Sequence, residues 1–352
     1  MLRKIKVGLV NFLPGGARAV LFRLYGALSR AAYTWSGAQK TFQGAYLRVA
    51  HRRVTAHDEV EFAKGRYPDL AKWHSAFKSY ESPDGALALP LAWTHKPLGG
   101  NYGDWLSPFI VSRASGLAVH HVDLLSRRRR PHIIALGSIA SWATGSSTVL
   151  GAGVNSYNDV LSRAANYPMV RGMVTLDLLP REARRSDVVC CDPGFFLKKV
   201  YTPTVLESPE RYKLLIPHIN HQELFSTVKD PRFVLKDAYA CHPAEITRTI
   251  DLIYNAEQVV TSAMHVFVTC LVYGVPCALV KPENSDMIPG DGVKYLDCMS
   301  TVLPYDFAPQ VINVRKGMAL LDEVEIKRHV IDENHVELSY NRFCELLQVG
   351  LQ

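Results

Sequence analysis

A histidine stands in the sequence where a predicted strand is followed by a predicted helix. The β-branched run Val259–Ser262 ends in a residue that favours helix N-caps, and we expect a helix from Met264 to Tyr273, where Gly274 ends it. The first turn of such a helix has backbone N–H groups without partners, and the helix dipole makes that end positive. His265 would therefore lie beside a site for an anion such as phosphate; the alternative is a satisfied core histidine.

A second group of polar residues follows the first predicted strand, Ala86–Thr94. The loop His95–Asp104 is rich in glycine and ends in the sequence Asn-Tyr-Gly-Asp. Glycine lets the backbone approach a ligand closely, and Asp104 would offer a carboxylate at the same edge of the sheet. Asp104 could instead cap the next helix, but Ser107-Pro108 forms a better cap and first-turn pair, which would leave Asp104 available for chemistry.

Two further strand ends carry residues that suit an anion or a metal. Arg171 ends a predicted strand, and its guanidinium can bind a carboxylate or phosphate through two parallel hydrogen bonds. His218 and His221 follow another strand at a spacing that raises the question of a metal site. Because no third ligand of suitable type lies nearby in the sequence, we expect no metal.

These residues need a scaffold that brings the ends of several strands together. Short apolar runs alternate with helices of about 10–15 residues, which indicates βαβ units and a mostly parallel sheet. The predicted strands fall into two blocks, Ala86–Thr94, Leu117–Val122, Ile133–Leu136, Val149–Ala152, Met169–Arg171 and Asp187–Cys190, then Lys213–Pro217, Arg232–Leu235, Val259–Ser262 and Cys277–Val280. We predict an α/β protein with two Rossmann-like domains, residues 86–200 and 201–330, facing across a cleft, with a C-terminal helix or tail over 331–352.

The charge of the chain is distributed unevenly. Of its 352 residues 48% are hydrophobic, which excludes a disordered chain, and the net charge is +7. Residues 1–85 hold 14 Lys and Arg against 6 Asp and Glu, whereas the rest is nearly neutral. We therefore predict a basic, helical N-terminal extension over residues 1–85. We expect its residues 17–33 to form an amphipathic helix suited either to an anionic membrane surface or to packing on the protein body.

Cysteine usage and hydropathy bear on the location of the protein. The seven cysteines are odd in number and include no C-x-x-C pair, so neither a disulfide framework nor a zinc knuckle is indicated. No stretch reaches the roughly 18 apolar residues that a membrane-spanning helix needs. We expect a cytoplasmic protein, attached at most peripherally to the inner face of the plasma membrane.

Taken in order from about Leu89 to Asp297, these elements resemble the polysaccharide pyruvyltransferase family. The similar stretches are Asn101-Tyr102-Gly103-Asp104, Leu136-Gly137-Ser138-Ile139, Leu150-Gly151-Ala152-Gly153-Val154, Arg171-Gly172 with Thr175, Cys191-Asp192-Pro193-Gly194, Ile216-Pro217-His218, and Ser262-Ala263-Met264-His265 with Gly274-Val275-Pro276. This chain departs from the family at Ala263, where many members carry Arg or Ser, at Met264, where Leu is usual, and at Val266, where Gly often stands. If an Arg at position 263 holds the donor elsewhere in the family, this protein must supply that charge differently.

The resemblance implies a GT-B-like fold and a definite reaction. Family members transfer the pyruvyl group of phosphoenolpyruvate to two hydroxyls of one sugar, forming a cyclic ketal in the biosynthesis of exopolysaccharides, capsules or cell-wall glycans. His265 would be the general acid or phosphate anchor and Asp104 the base that activates a hydroxyl. The expected donor-binding residues are Arg171, His218, Ser262, Met264, Asn101 and Gly103. No metal or cofactor is implied; the partners are phosphoenolpyruvate and a glycan acceptor, which can be lipid-linked.

Two other functions remain open on the sequence alone. A nucleotide-sugar glycosyltransferase of the same fold would bind a nucleotide, although the C-terminal domain shows no obvious nucleoside-recognition signature. A non-enzymatic basic binding protein would use the N-terminal segment and bind nucleic acid in a salt-dependent way. That function leaves Asn101–Asp104 and Ser262–His265 without a role, so no nucleic-acid partner is expected.

Overall fold

The computed structural model of the chain describes residues 88–349, except for 95–99, 125–129, 206–211, 227, 229, 284–286, 289, 305–306 and 315–318. The predicted N-terminal extension, including residues 17–33, and the first part of the glycine-rich loop lie outside the described residues. All the strands below are joined by parallel pairing, because helices and loops carry the chain back across the sheet between successive strands.

The first sheet has six strands with the order β2-β1-β3-β4-β5-β6. The strands are β1 Leu89–Ala92, β2 Val119–His121, β3 His132–Ile134, β4 Ser147–Leu150, β5 Asn166–Val170 and β6 Val189–Cys190. Their apolar residues are buried, with Ile134, Val149 and Val170 fully inaccessible in the core. A parallel sheet that is covered on both faces requires such continuous apolar strands.

The second sheet has five strands with the order β11-β10-β9-β7-β8. The strands are β7 Lys213–Ile216, β8 Phe233–Leu235, β9 Gln258–Thr261, β10 Cys277–Pro282 and β11 Gln310–Ile312. Leu215, Val260 and Phe225 form the centre of a separate core on this sheet. The prediction of an α/β protein is thus confirmed, with two parallel sheets; the likeness to a GT-B fold stays a prediction.

Helices and short 3₁₀ turns connect the strands. The helices are α1 Tyr102–Ser115, α2 Met173–Leu178, α3 Leu197–Val200, α4 Gln222–Ser226, α5 Pro243–Tyr254, α6 Met264–Tyr273, α7 Val293–Met299, α8 Ala319–Asp322 and α9 Glu333–Val349; the 3₁₀ turns are Ala140–Trp142, Pro193–Phe196 and Ile219–His221. Within the described ranges, no helix is both long and apolar enough to cross a membrane.

Both sheets have the same strand order. In each sheet the first strand along the chain lies between the second strand, which is at the edge, and the third strand. In such a sheet the chain leaves the first and third strands in opposite directions, and a crevice forms between the loops that follow them. These strands are β1 and β3 in the first sheet and β7 and β9 in the second. The fold therefore provides two crevices, one at each of these strand pairs.

Two helices from the C-terminal part of the chain pack on the first sheet. On α7, which follows β10, Asp297 forms an ion pair with Arg171, which follows β5. On α9, Phe343 packs against Phe196 with ring centroids 5.2 Å apart, and Nε2 of His335 lies 2.8 Å from the carbonyl oxygen of Cys190. Both sheets consequently belong to one compact unit of the chain.

Helix α1 begins six residues before the predicted start. Asn101 is the N-cap, and its Oδ1 accepts a hydrogen bond from the N–H of Gly103 at 3.3 Å. The predicted cap at Ser107 is wrong, because Ser107 is buried inside the helix and Pro108 follows it there. Asp104 therefore lies in the first turn of α1 and does not belong to a loop.

Candidate functional site

A cavity of about 390 Å³ is lined by residues that follow strands of both sheets. Both crevices contribute to it, since the loops after β1, β3, β7 and β9 all supply residues. The lining residues are Thr94, Asn101, Tyr102, Gly103 and Asp104 after β1; Gly137, Ser138, Ile139 and Trp142 after β3; Asn155 after β4; His218, Ile219 and Asn220 after β7; Ala263, Met264, His265 and Val266 after β9; and Ile288 and Lys294 after β10.

The cavity brings together six of the eight predicted site residues. The six are His265, Asp104, His218, Met264, Asn101 and Gly103, which come from both sheets. Arg171 and Ser262 do not line the cavity, and each has other partners within the protein. Lys294, Asp192 and Trp142 belong to the site or support it, although their roles were not predicted from the sequence.

Arg171 occupies a position that differs from the one expected of a donor-binding residue. Its side chain is fully buried, its Nε donates to Oδ2 of Asp297 at 2.8 Å, and its Nη1 donates to Oγ of Ser138 at 2.7 Å. Asp297 also accepts hydrogen bonds from N–H and Oγ1 of Thr175, at 2.9 and 2.6 Å. Arg171 therefore holds α7 against the first sheet, and its charge is neutralised inside the protein.

The glycines near Arg171 have a packing role. A Cβ atom on Gly172 would overlap the carbonyl oxygen of Asp297, and one on Gly153 would overlap the guanidinium of Arg171. Neither glycine has a positive φ, so close approach and not backbone conformation requires glycine at these positions. Two of the family-like motifs thus form the attachment point of α7.

Ser262 connects two strand ends and is not the N-cap predicted for α6. Its Oγ accepts a hydrogen bond from the N–H of His218 at 2.9 Å and lies 3.0 Å from Nδ1 of His221. The N-cap of α6 is Ala263, whose side chain cannot cap. Helix α6 therefore begins at the cavity with first-turn N–H groups that no side chain of the described residues caps.

His265 is held in the first turn of α6 by a buried carboxylate. The residue is 8% exposed, and its Nε2 lies 3.5 Å from Oδ2 of Asp192, slightly too far for a hydrogen bond. Asp192 is fully buried and accepts a hydrogen bond from the N–H of Gly194 at 2.8 Å. Although burial opposes ionisation, the neighbouring charge of His265 holds the pKa of Asp192 below its usual value. The carboxylate thus lies within ion-pairing distance of the imidazole ring.

The other side of the imidazole ring lies against α1. A Cβ atom on Gly103 would overlap Nδ1 of His265 and lie 3.2 Å from its Cβ. Next to Gly103, the hydroxyl of Tyr102 is 2.8 Å from Oγ1 of Thr269, one turn further along α6. The glycine of the Asn-Tyr-Gly-Asp sequence is therefore needed to make room for the histidine of the second sheet.

Asp104 is adapted to exchange a proton near neutral pH. Burial raises the pKa of its carboxyl to about 6, while the charges of His265 and Lys294 and a hydrogen bond from Asn101 act in the opposite direction. Nδ2 of Asn101 donates that bond to Oδ2 at 3.0 Å. A general base is most effective when its pKa is close to the working pH, so Asp104 fits this role.

Lys294 is the charged lining residue of the cavity that the sequence did not predict. It lies on α7 and is the only lysine or arginine among the described residues that line the cavity. Burial and the nearby charge of Arg171 lower the pKa of its ammonium group to about 8, while Asp104 partly offsets them. No local signal could have revealed its position, because α7 follows a strand of the second sheet and packs on the first.

His218 lines the cavity as a neutral group, and His221 lies behind it. Burial and the positive charge of Lys294 lower the pKa of His218 to about 3 and that of His221 to about 4. His218 is therefore an uncharged hydrogen-bonding group at neutral pH. Across the described residues, no group of three or more His, Cys, Asp or Glu side chains is arranged to hold a metal ion.

Comparison with known proteins yields distant likenesses. No family model matches the chain. Uncharacterized protein L143 of Acanthamoeba polyphaga mimivirus is 24% identical over 211 residues, covering 57% of this chain and 70% of that protein. Two solved structures match at 12% identity with a TM-score of 0.34. One is a functionally uncharacterized protein from Klebsiella pneumoniae (60% of this chain, 88% of that one), and the other is the glycosyltransferase SnogD from Streptomyces nogalater (74% and 95%). At that TM-score neither likeness informs the fold or the function.

Proposed function

We propose that the protein transfers the pyruvyl group of phosphoenolpyruvate to two hydroxyls of a glycan sugar and forms a cyclic ketal. The observation that carries the proposal is the convergence of a proton acceptor, a histidine and a cation, namely Asp104, His265 and Lys294, at one cavity. The donor carries a carboxylate and a phosphate, and the uncapped start of α6 suits such groups. The resemblance of the motifs to pyruvyltransferases supports the same reaction.

The first step adds a sugar hydroxyl to the enol double bond of the donor. The hydroxyl oxygen bonds to C2 of phosphoenolpyruvate, Asp104 takes the hydroxyl proton, and protonated His265 gives a proton to C3, which becomes a methyl group. The π bond is thereby replaced by a C–O and a C–H bond. General acid–base help of this kind contributes about 10²–10⁴ in rate.

The second step closes the ketal and releases phosphate. The second sugar hydroxyl bonds to C2 while the bond from C2 to the phosphate oxygen breaks. Neutral His265 takes the hydroxyl proton, and Asp104 gives its proton to the departing phosphate, which leaves as hydrogen phosphate. Both side chains return to their starting protonation states, and no oxidant or reductant is required.

A tryptophan at the cavity supports a sugar acceptor. Trp142 lines the cavity in the 3₁₀ turn after β3, yet it is 52% exposed. An exposed indole ring offers a flat apolar face against which the C–H face of a sugar can pack. The amide side chains of Asn155 and Asn220, which line the same cavity, provide hydrogen-bonding groups for hydroxyls.

The test is incubation of the full chain with phosphoenolpyruvate and a panel of β-galactosides, mannosides and glucosides. Phosphate release that requires an acceptor, with a product mass gain of one pyruvyl ketal, is the expected result. His265→Ala should lower turnover by at least about 10²-fold with an unchanged circular dichroism spectrum. His242→Ala, which changes the histidine that caps α5 outside the cavity, is the matched control.

The same assay separates the competing function. A nucleotide-sugar glycosyltransferase would transfer a sugar from a nucleotide donor and ignore phosphoenolpyruvate. Sugar transfer from such a donor, or the absence of any pyruvyl product across the acceptor panel, would contradict the proposal.

A further inference from the structure

The cavity contains a positive charge that no described carboxylate pairs with directly. Lys294 forms no ion pair with a carboxylate among the residues the structure describes, and its nearest ring contact is Tyr295, whose centroid lies 5.4 Å from Nζ. Arg171, the other cation of this region, is fully buried and paired with Asp297. Asp104 is near enough to offset only part of the cost of burying the Lys294 ammonium group, so an anionic ligand would gain from its presence.

The cation and the start of α6 face the same space. Ala263, Met264 and His265 line the cavity together with Lys294, and the ten-residue helix begins there without a capping side chain. His265 is more than nine-tenths buried, and its Nε2 has no hydrogen-bond partner at normal distance among the described residues; Oδ2 of Asp192 lies 3.5 Å from it. Backbone N–H groups, an imidazole and an ammonium thus surround one position that suits several anionic oxygens.

The position of Lys294 is set by the attachment of α7. Lys294 lies three residues before Asp297, so both residues lie on neighbouring turns of one helix. Asp297 is held by Arg171, which follows β5, and by Thr175 on α2, and these contacts attach α7 to the first sheet. The buried ion pair therefore fixes the place from which Lys294 reaches the cavity.

We propose that Lys294 is a binding residue for the phosphate or carboxylate group of the substrate and supplies from α7 the cation that Ala263 lacks at the start of α6. The identification of this anion as phosphoenolpyruvate rests on the proposed function, whereas the anion site itself does not. An anion held there lies between elements of both sheets, beside His265 and Asp104.

Calorimetric titration of the full chain with phosphoenolpyruvate, and separately with inorganic phosphate, tests the proposal. Lys294→Met should weaken phosphoenolpyruvate binding by about 10- to 100-fold, as expected for the loss of one charge-assisted hydrogen bond. Lys294→Arg should retain most of the affinity. Lys281→Met is the control, because it removes the same net charge at an exposed residue of β10 that does not line the cavity.

A second variant distinguishes the loss of the cation from a failure of Lys294→Met to fold. Ala263→Arg in the Lys294→Met background puts a cation back at the same cavity and should restore at least part of the lost affinity. Unchanged binding in Lys294→Met, or binding lost equally in Lys281→Met, would overturn the proposal. If anion binding depends on Lys294 but no pyruvyl group is transferred, only the proposed function is rejected. If pyruvyl transfer occurs and Lys294→Met binds phosphoenolpyruvate as tightly as the unchanged protein, only the anion site is rejected.

Discussion

The property that suits Asp104 to the proposed catalysis also lowers the stability of the folded protein. Its pKa of about 6 lies above the ordinary value of 3.8 because burial disfavours the charged form. The contribution of Asp104 to the free energy of unfolding therefore falls as the pH rises from about 4 to 6, because its carboxyl ionises more readily in the unfolded chain. A side chain whose charged form destabilises the folded state is typical of a functional site.

Asp104→Asn should accordingly stabilise the protein at pH 7 while abolishing its activity. We expect the free energy of unfolding to rise by about 1–3 kcal/mol, since the amide keeps an acceptor for Asn101 and carries no charge. Urea unfolding at pH 7 and at pH 4 measures the change, and the gain should shrink to a small fraction at the lower pH, where Asp104 is protonated in the folded state and only about half ionised in the unfolded chain. An equal gain at both pH values would show that ionisation is not its cause.

Substitution of Trp142 distinguishes binding of the glycan acceptor from binding of phosphoenolpyruvate. Replacement by Ala removes the exposed indole face and should raise the KM for the glycan by about 2- to 10-fold, as expected for an aromatic contact of ordinary strength. Affinity for phosphoenolpyruvate, measured by titration, should not change. A loss of donor affinity equal to the loss for the glycan would place Trp142 on the donor side instead.

At the scale of elements, α1 and α6 meet through Gly103 and His265. Gly103→Ala alone should destabilise the protein, because the added methyl group overlaps the imidazole. In a His265→Ala background the same change should be neutral or stabilising by up to about 1 kcal/mol, since Ala favours helix over Gly. Urea unfolding of the four proteins of this cycle gives the coupling between the two positions. Additive effects would mean that the two helices do not contact at this point.

The attachment of α7 makes a prediction about Arg171. Arg171→Met leaves Asp297 buried without its cation and should lower the free energy of unfolding by about 3–5 kcal/mol. Arg342→Met removes an arginine from the exposed pair with Glu345 and should cost less than about 1 kcal/mol. An Arg171→Met protein that is as stable as this control but does not bind phosphoenolpyruvate would contradict the structural role. It would support the donor-binding role predicted from the sequence.

The sequence predicts the elements better than the contacts between them. All ten predicted strands are present, and α6 has the predicted bounds because an apolar run ends at Gly274, which has a φ of 68°. The strand β11 was missed because Gln310–Ile312 is short and has one buried residue. The start of α1 was missed because Asn101 looked like part of a glycine-rich loop.

The candidate site was predicted only where its residues follow strands directly. His265, Asp104 and His218 could be found because each comes soon after a strand of a parallel sheet. Lys294 and the true role of Arg171 depend on an ion pair between residues 126 positions apart, for which the sequence carries no local signal. Asp192 was visible in a family-like turn, but its distance to His265 was not.

At the scale of the whole molecule, the uneven charge suggests where the protein acts. Residues 1–85 carry the basic excess, and residues 17–33 have the pattern of an amphipathic helix. Deleting residues 1–33 should reduce binding to anionic phospholipid vesicles while leaving activity on a soluble acceptor nearly unchanged. Vesicle co-sedimentation and the pyruvylation assay measure the two effects, with neutral vesicles as the control. Equal loss of both would indicate that the segment packs on the protein body.

The return of α7 and α9 to the first sheet limits how the protein can be recombined with others of its fold. A chimera that exchanges everything after residue 201 would replace Asp297 and Phe343 together with the second sheet, and so remove the partners of Arg171 and Phe196. Only an exchange of the segment between α3 and α7 would keep both attachments. Such an exchange varies only the strands, helices and loops in between, and Lys294 on α7 stays together with the first sheet.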